Sequence, residues 1–465
     1  MTAAAHAAGT AGGNRGGALA ALRHRDFALF FSAALCSNTG TWMQTITVPY
    51  VLDQLTHSTV WVGVGAFATF FPSTVVGPLA GSLADRHDRR TIMLISQVVL
   101  MLSALALWAI WVTGVATPPL IVACVVVGAI GAGITIAAWQ AFVPQLVPPD
   151  AMVSAVRLNA MQFTGARAFG PALAGLVLAQ FGPGTAFLAN ALSFLLVIGA
   201  LLLIAKRPVT RSTEAGGVLA QFGDAIRYIR RRAVLIVSVL GALFSSLLGV
   251  SMIQLAEPFA RQVLHEGAGK YGLLVAAYGA GAITGSVVTV ARGDVLRRSS
   301  LTVVGFAIFV VAELTFGLAP VYALALLGMY GIGLAQSFAM VSCQTAVQVN
   351  VDEHYRGRVL SVYVMSFFAG TPIGALVGGI AASVIGLRAT IVVSAALLAG
   401  AVTVTMIRYP WFRVLDETRM GFDAHVERDG HLVVEPLDED ERAGREPTLP
   451  VPLAGTDRAD ASDSG

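Results

Sequence analysis

Apolar residues run along this chain in long blocks, interrupted by short connections rich in charge or glycine. A helix needs about 20 residues to cross a hydrocarbon core of ~30 Å. Twelve blocks are long enough, near 27–52, 60–83, 91–113, 119–144, 155–180, 184–205, 233–258, 270–291, 300–318, 320–347, 358–384 and 387–408. In lipid each backbone N–H and C=O needs a partner within its own segment, so all twelve are predicted as α-helices. The expected fold class is an all-α integral membrane protein with twelve transmembrane helices.

Composition agrees with that pattern. The 465 residues are 56% hydrophobic and 12% charged, against roughly 25% charged in soluble domains. Charge is unevenly placed. Residues 1–410 hold 24 Lys/Arg and 13 Asp/Glu, whereas residues 411–465 hold 6 and 14. Five regions are therefore expected: a disordered cytoplasmic N-terminus (1–22), a six-helix half (23–205), a basic linker (206–232), a second half (233–410) and an acidic, mostly disordered tail (411–465). The N-terminal stretch, rich in Ala and Gly, lacks the apolar core of a signal peptide, and the first span can direct insertion. Within the linker, Leu219, Phe222, Ile226 and Ile229 recur at helical spacing among Arg227, Arg230 and Arg231. That pattern suits either a helix on the anionic inner leaflet or a plain basic connection. In the tail, HVERDGHLVV is a candidate hairpin around Asp429-Gly430.

Loop charge predicts orientation. Arg261, Lys270 and Arg388 are the cations near one side, while Arg86, Arg89, Arg90, Arg157, Lys206, Arg207, Arg292, Arg297, Arg298, Arg356 and Arg358 gather on the other. Cations accumulate in the cytoplasm, so both termini are expected inside a cytoplasmic membrane. The chain also repeats itself. Gly77 and Gly81-Ser82 recur as Gly281 and Gly285-Ser286, offset by 204 residues, and Asp150 recurs as Asp352 and Pro171 as Pro372 at nearly the same offset. Two pseudo-symmetric six-helix halves are expected, with a site between them. The Gly-x-x-x-Gly spacings predict close helix packing.

The connection between spans 2 and 3 concentrates charge between two apolar segments. It reads Gly81-Ser82-Leu83-Ala84-Asp85-Arg86-His87-Asp88-Arg89-Arg90. Asp85 can face the positive N-terminal end of a neighbouring helix, and Arg86, Arg89 and Arg90 can pair with carboxylates or lipid phosphates. Such a cluster can latch two halves together on the cytoplasmic side. This stretch resembles the signature loop of the Major Facilitator Superfamily, with Asp88 standing where Gly is usual. The resemblance covers about residues 20–410. LRHRDFALFFSAALCSNTGTWMQ, GKYGLLVAAYGAGAITGS and EHYRGRVLSVYVMSFFAGTPIGALVGG resemble the branch that holds enterobactin exporters and similar secretion or multidrug efflux proteins. It implies that Asp85 and Arg89 gate the cytoplasmic side, and that spans 1, 4, 7 and 10 line the cavity. Cavity candidates are then Asn38, Trp42, Gln44, Trp139, Gln140, Gln254, Gln336 and Gln344, though each amide could equally bond helix to helix.

Span 5 carries Gly165-Ala166-Arg167-Ala168-Phe169-Gly170-Pro171-Ala172-Leu173-Ala174-Gly175, similar to a Gly-Pro pattern of exporting antiporters, with Ala174 replacing one Gly. Tight small-residue packing is the plainer account. Arg167 lies mid-span, where a charge is costly. It could attract an anionic cargo, cycle with a carboxylate, or pair structurally with a neighbouring helix. Glu257, if its helix bends inward, and Glu313 are the candidates for proton coupling, with a structural or interfacial role the plainer account of Glu313, and Asp53 reads as a solvated cap. Cys36, Cys124 and Cys343 read as small buried hydrophobes.

No Walker loop and no metal-ligand spacing is present in the sequence, so neither an enzyme nor a cofactor is expected. The expected activity is export of small amphipathic molecules (a drug, siderophore or secondary metabolite) by alternating access, coupled to protons. An uptake symporter or lysolipid flippase could share the scaffold, and a non-transporting sensor or scaffold is the alternative of another class. Expected partners are a small-molecule substrate, protons and membrane lipids, without nucleic acid, for a monomer.

Overall fold

The computed structural model describes residues 19–86, 88–204, 218–292, 298–410, 415, 422–426 and 432–436. Helix α1 spans Arg25–Thr56, α2 Thr59–Arg86, α3 Arg89–Val112 and α4 Pro118–Phe142. Helix α5 runs from Met152 to Leu203 and breaks at Gly182, whose φ of 77° lies in the left-handed region that glycine tolerates. Its first arm (152–181) places Gly170 against Trp42, and its second arm (183–203) places Asn190 against Gly40. Both arms therefore lie along α1. Next come α6 (Val218–Ile229), α7 (Ala233–Val263), α8 (Ala268–Arg292), α9 (Arg298–Leu318), α10 (Tyr322–Asn350), α11 (Glu353–Ile385) and α12 (Leu387–Arg408). Ten segments among the described residues are long and apolar enough to cross a membrane, one of them the 55-residue stretch that includes α5. With α5 folded into two arms and α1 added, the arrangement is consistent with twelve crossings.

The internal repeat is visible in the packing. In the first half α1 packs on α5, α2 on α4, and α3 on α4 and α5; in the second, α7 packs on α11, α8 on α10, and α9 on α10 and α12. Gly281 and Gly285 allow α8 to touch the α10 backbone at Tyr330 and Leu334. The matching expectation fails at Gly77, which meets open space; the close approach of α2 to α4 instead uses Gly133 beside Ser73. Arginines close one helix end in each half. Arg90 Nε and Nη2 donate to the Leu201 and Leu202 carbonyls at 2.6 and 3.0 Å. Arg388 Nη1 and Nη2 donate to Gly317 and Ala319 at 3.3 and 2.9 Å. Cations suit carbonyl ends, where the helix dipole is negative.

Outside the bundle, α6 docks on α11 rather than standing free. Ala225 and Ile229 are buried, Tyr228 stacks on Tyr355 at 4.5 Å, and Arg227 stays exposed beside Asp224. Residues 206–217 lie outside the described residues. Beyond α12, Leu415 is buried in the second-half core. Strands β1 (Phe422–Val426) and β2 (Leu432–Pro436) pair antiparallel with Val426 opposite Leu432, on either side of the expected Asp429-Gly430 turn. Cys36 is exposed, contrary to expectation, because it faces away from the α1 packing surfaces.

Two helix pairs join the halves. Thr59 Oγ1 donates to the Gly379 carbonyl at 2.8 Å, and Gly63 fits against Ala375 and Gly379, so α2 meets α11 almost backbone to backbone. Gly175 and Gly272 do the same for α5 and α8; a Cβ on Gly272 would collide with Gly175 and the Pro171 carbonyl. The glycine contacts cluster towards the bundle end that carries Asp53, and α2 stays in touch with α11 as far as Thr74, whose Oγ1 donates to the Phe368 carbonyl at 3.4 Å. Towards the end that carries Arg90, Gly77 and Gly165 both face open space.

An ionic bridge adds to the seam at the Asp53 end. Asp53 is no solvated cap: it is fully buried, because α7 of the other half covers it. Arg261 forms an ion pair with its carboxylate, Arg261 Nη2 also donates to the Asp53 carbonyl at 3.0 Å, and Gln262 Nε2 donates to Asp53 Oδ1 at 2.9 Å. Arg261 Nη2 reaches His57 Nδ1 at 2.8 Å, and Nε lies 3.7 Å from Glu257 Oε1. One guanidinium thus holds two buried carboxylates, one from each half.

Two outcomes are expected. Gly272→Leu forces α5 and α8 apart, destabilising the protein by about 1–3 kcal/mol, and thermal unfolding in detergent measures it. Arg261→Gln leaves two buried carboxylates without a cation, a loss of about 3–5 kcal/mol on the closed form. A cysteine placed at the seam (Thr59→Cys, with Cys36→Ser) should then react with an impermeant maleimide roughly tenfold faster or more. An unchanged labelling rate would remove the bridge from the closing of this end.

Candidate functional site

Below the closed end, four helices converge on Arg167. It lies on the first arm of α5, partly exposed, with its guanidinium 5.6 Å from the Trp42 ring centroid (α1) and 5.2 Å from that of Tyr278 (α8). Arg167 Nη2 donates to the Tyr278 hydroxyl, which donates in turn to Gln336 Oε1 on α10. The chain Trp42–Arg167–Tyr278–Gln336 therefore crosses from one half to the other. Aromatic faces stabilise a guanidinium through their quadrupoles, and a desolvated setting strengthens this.

Alongside runs a cluster of amides. Asn38 Nδ2 donates to Gln162 Oε1 at 3.3 Å, and Gln162 Nε2 to Asn159 Oδ1 at 3.4 Å. Trp139 Nε1 donates to Asn159 at 2.9 Å. Trp139 is buried and packs on Phe30 at 4.6 Å, so it forms part of the α1–α4 core with its indole N–H satisfied. Gln44 accepts from Asn190 at 2.8 Å and ties α1 to the second arm of α5. Of the eight cavity candidates, Asn38, Trp42 and Gln336 come together around the seam; Gln44 and Trp139 bond helix to helix. Gln254 is half-buried in α7, while Gln140 and Gln344 are exposed on α4 and α10.

The signature loop is described in part. Gly81, Asp85 and Arg86 belong to the last turns of α2, but their side chains, like His87, lie outside the described residues. Asp88 caps α3: its carboxylate accepts from the Arg90 amide at 3.4 Å and from Thr91 Oγ1 at 2.8 Å. Its φ of −62° needs no glycine, so an N-capping acid takes the place of the usual Gly. Arg90 holds the second arm of α5 within its own half, and Arg89 stands at the first turn of α3. In the Gly-Pro pattern, Gly170 receives Trp42, Pro171 and Gly175 receive Gly272, and Gly165 is free on its open side. Pro171 lies inside the unbroken first arm.

Glu257 belongs to the ionic bridge; its Oε2 is buried and, among the described residues, has no hydrogen-bond partner. Glu313 on α9 is fully buried. Nearby α7 leaves regular α-helical winding at 245–249 and again at 259–263, where single turns widen to π geometry. Sequence reading missed Tyr278, Asn159, Gln162 and Asn190, and it did not join Asp53 to Arg261. The signal for Tyr278 is its place in GKYGLLVAAYGAGAITGS, one helical face along from the glycines that meet α10.

The family profile described as Transmembrane secretion effector matches residues 16–437. The chain is 24% identical over 375 residues to a Staphyloferrin A transporter of Staphylococcus aureus, covering 78% of this chain and 90% of the relative. It is 25% identical over 365 residues to the Enterobactin exporter EntS of Citrobacter koseri, covering 77% and 86%. Among solved structures, its fold is similar to a bacterial homologue of the human lysosomal transporter Spinster, inward-facing and unoccupied, with a TM-score of 0.66 at 15% identity over 83% of this chain and 97% of that one. A bacterial homologue of the iron transporter ferroportin, in an inward-facing state, gives 0.64 at 18% identity over 83% and 98%. The duplicated bundle, the signature loop and the site between its halves thus accompany a match over most of the chain, and the protein belongs to the transmembrane secretion effector family of Major Facilitator Superfamily membrane transporters.

Proposed function

We propose that this transporter exports small amphipathic molecules across the cytoplasmic membrane, by rocking its two halves around the Arg167 seam in exchange for protons. The observation that supports this most is the uneven seam. The halves meet through Gly63, Gly175, Gly272 and the Asp53–Arg261 bridge at one end, and Gly77 and Gly165 face open space towards the other. Loop charge orients the open end to the cytoplasm, with both termini inside. Cargo then enters from within, as an exporter requires. The enterobactin exporters among its relatives support outward movement, and the Staphyloferrin A transporter supports a small-molecule cargo.

For each cycle the bridge must open and a contact at the opposite end must form. Asp85, Arg86, Arg89 and Arg90 of the signature loop are our candidates for that second contact. Of the two carboxylates proposed for proton exchange, Glu257 has the better position, since it sits in a contact that opening exposes to water. Glu313 is sealed among α9 and its neighbours.

Two measurements test this reading. Everted vesicles carrying the protein should accumulate cargo when a proton gradient is applied and lose that accumulation when the gradient collapses; gradient-insensitive accumulation would exclude antiport. Asp85→Asn should slow turnover roughly tenfold, the effect of about 1.4 kcal/mol on the cycle, with expression unchanged. Wild-type turnover in that variant would remove Asp85 from the gate.

A further inference from the structure

Arg167 carries a charge that the described protein does not neutralise. Besides Asp26, Asp85 and Glu353 in terminal turns, the membrane-spanning helices hold three acids, Asp53, Glu257 and Glu313. The first two share Arg261, and Glu313 is fully buried in α9. Among the described residues no ion pair includes Arg167, whose polar neighbours are the Tyr278 hydroxyl and, through it, the Gln336 amide. The adjoining cluster of Asn38, Gln162 and Asn159 is neutral as well. Trp42 and Tyr278 offer ring faces, which attract the cation but leave its formal charge in place.

A guanidinium has five N–H donors in a planar fork. Here Nη2 is engaged by Tyr278, while the buried Nε has no acceptor among the described residues. Keeping an uncompensated cation within the membrane is costly, and such residues mark ligand pathways when they face a cavity between helices. A carboxylate matches the fork in shape and charge, and the charge-assisted bonds it forms are about twice as strong as neutral ones. The flanking rings suit a flat apolar body attached to that carboxylate. A cationic amphiphile would meet repulsion and, among the described residues, find no acid beside Arg167.

We infer that the Trp42–Arg167–Tyr278 site binds organic anions, a carboxylate on a flat or aromatic body, and that Arg167 selects this class of cargo against cations. The inference rests on the export reading for the direction of movement but not for binding itself. It makes Arg167 a specificity-determining residue, completed by a ligand that bridges the halves.

The test uses the purified full-length protein in lipid nanodiscs and three probes: 2-naphthoate, its neutral counterpart 2-naphthamide, and the cation tetraphenylphosphonium. Calorimetry should show saturable binding of 2-naphthoate, about tenfold tighter or more than 2-naphthamide, as expected for a charge-assisted contact. Tetraphenylphosphonium should not bind. Arg167→Gln should erase the preference, and Arg167→Lys, which keeps the charge, should retain part of it. The wild-type comparison of the three probes stands even if a variant fails to fold. Tighter binding of the cation, equal binding of acid and amide, an unaltered preference in Arg167→Gln, or no saturable binding of 2-naphthoate would each overturn the inference. Saturable anion binding without gradient-driven flux in vesicles would instead sink the export reading and leave the anion site standing. Gradient-driven tetraphenylphosphonium flux without 2-naphthoate binding would do the reverse.

Discussion

In hydrocarbon a polar group must find its partner inside the protein, and the layout of this transporter follows from that constraint. It forces the backbone into helices. It also explains where the arginines of the spans go. Arg90 and Arg388 turn to the carbonyl ends of neighbouring helices, where unpaired C=O groups would otherwise remain. Arg261 turns to Asp53 and Glu257. Arg167 turns to two aromatic rings and a tyrosine hydroxyl. The first two placements stay within one half of the bundle; the last two cross between halves.

Two kinds of cohesion divide the seam. At the Asp53 end the helices approach through glycine, so van der Waals contact between backbones dominates, as expected where lipid removes the hydrophobic drive between helices. The ionic bridge there acts differently. Its two carboxylates and one guanidinium are stable together in a buried setting, and each is costly alone. Backbone contact of this kind falls off steeply with separation, and parting the bridge leaves buried charges unpaired. Both kinds of contact suit a seam that is either closed or open.

Between these contacts and the open end lies a cross-half polar chain in which, among the described residues, Arg167 has no ion-pair partner. Under our proposal a cargo held by Arg167 on α5 would touch Tyr278 on α8 at the same time, so that binding would change how the two halves attract.

Much of this was legible in the chain. Hydropathy is a local property, so the spans, their helical state and the charged side of the bundle followed from composition within short windows. The repeat offset of 204 residues announced two related halves, and Arg167 stood out as a mid-span charge. One misreading was local too: Gly77 had no helix against it. What the sequence alone determined was the medium, the architecture and the inventory of costly polar groups. Only the tertiary structure decided how those groups pair. Asp53 meets Arg261 across 208 positions and Arg167 meets Tyr278 across 111. Such partners are chosen by how helices cross in space, and neither spacing nor residue type along one segment carries that information.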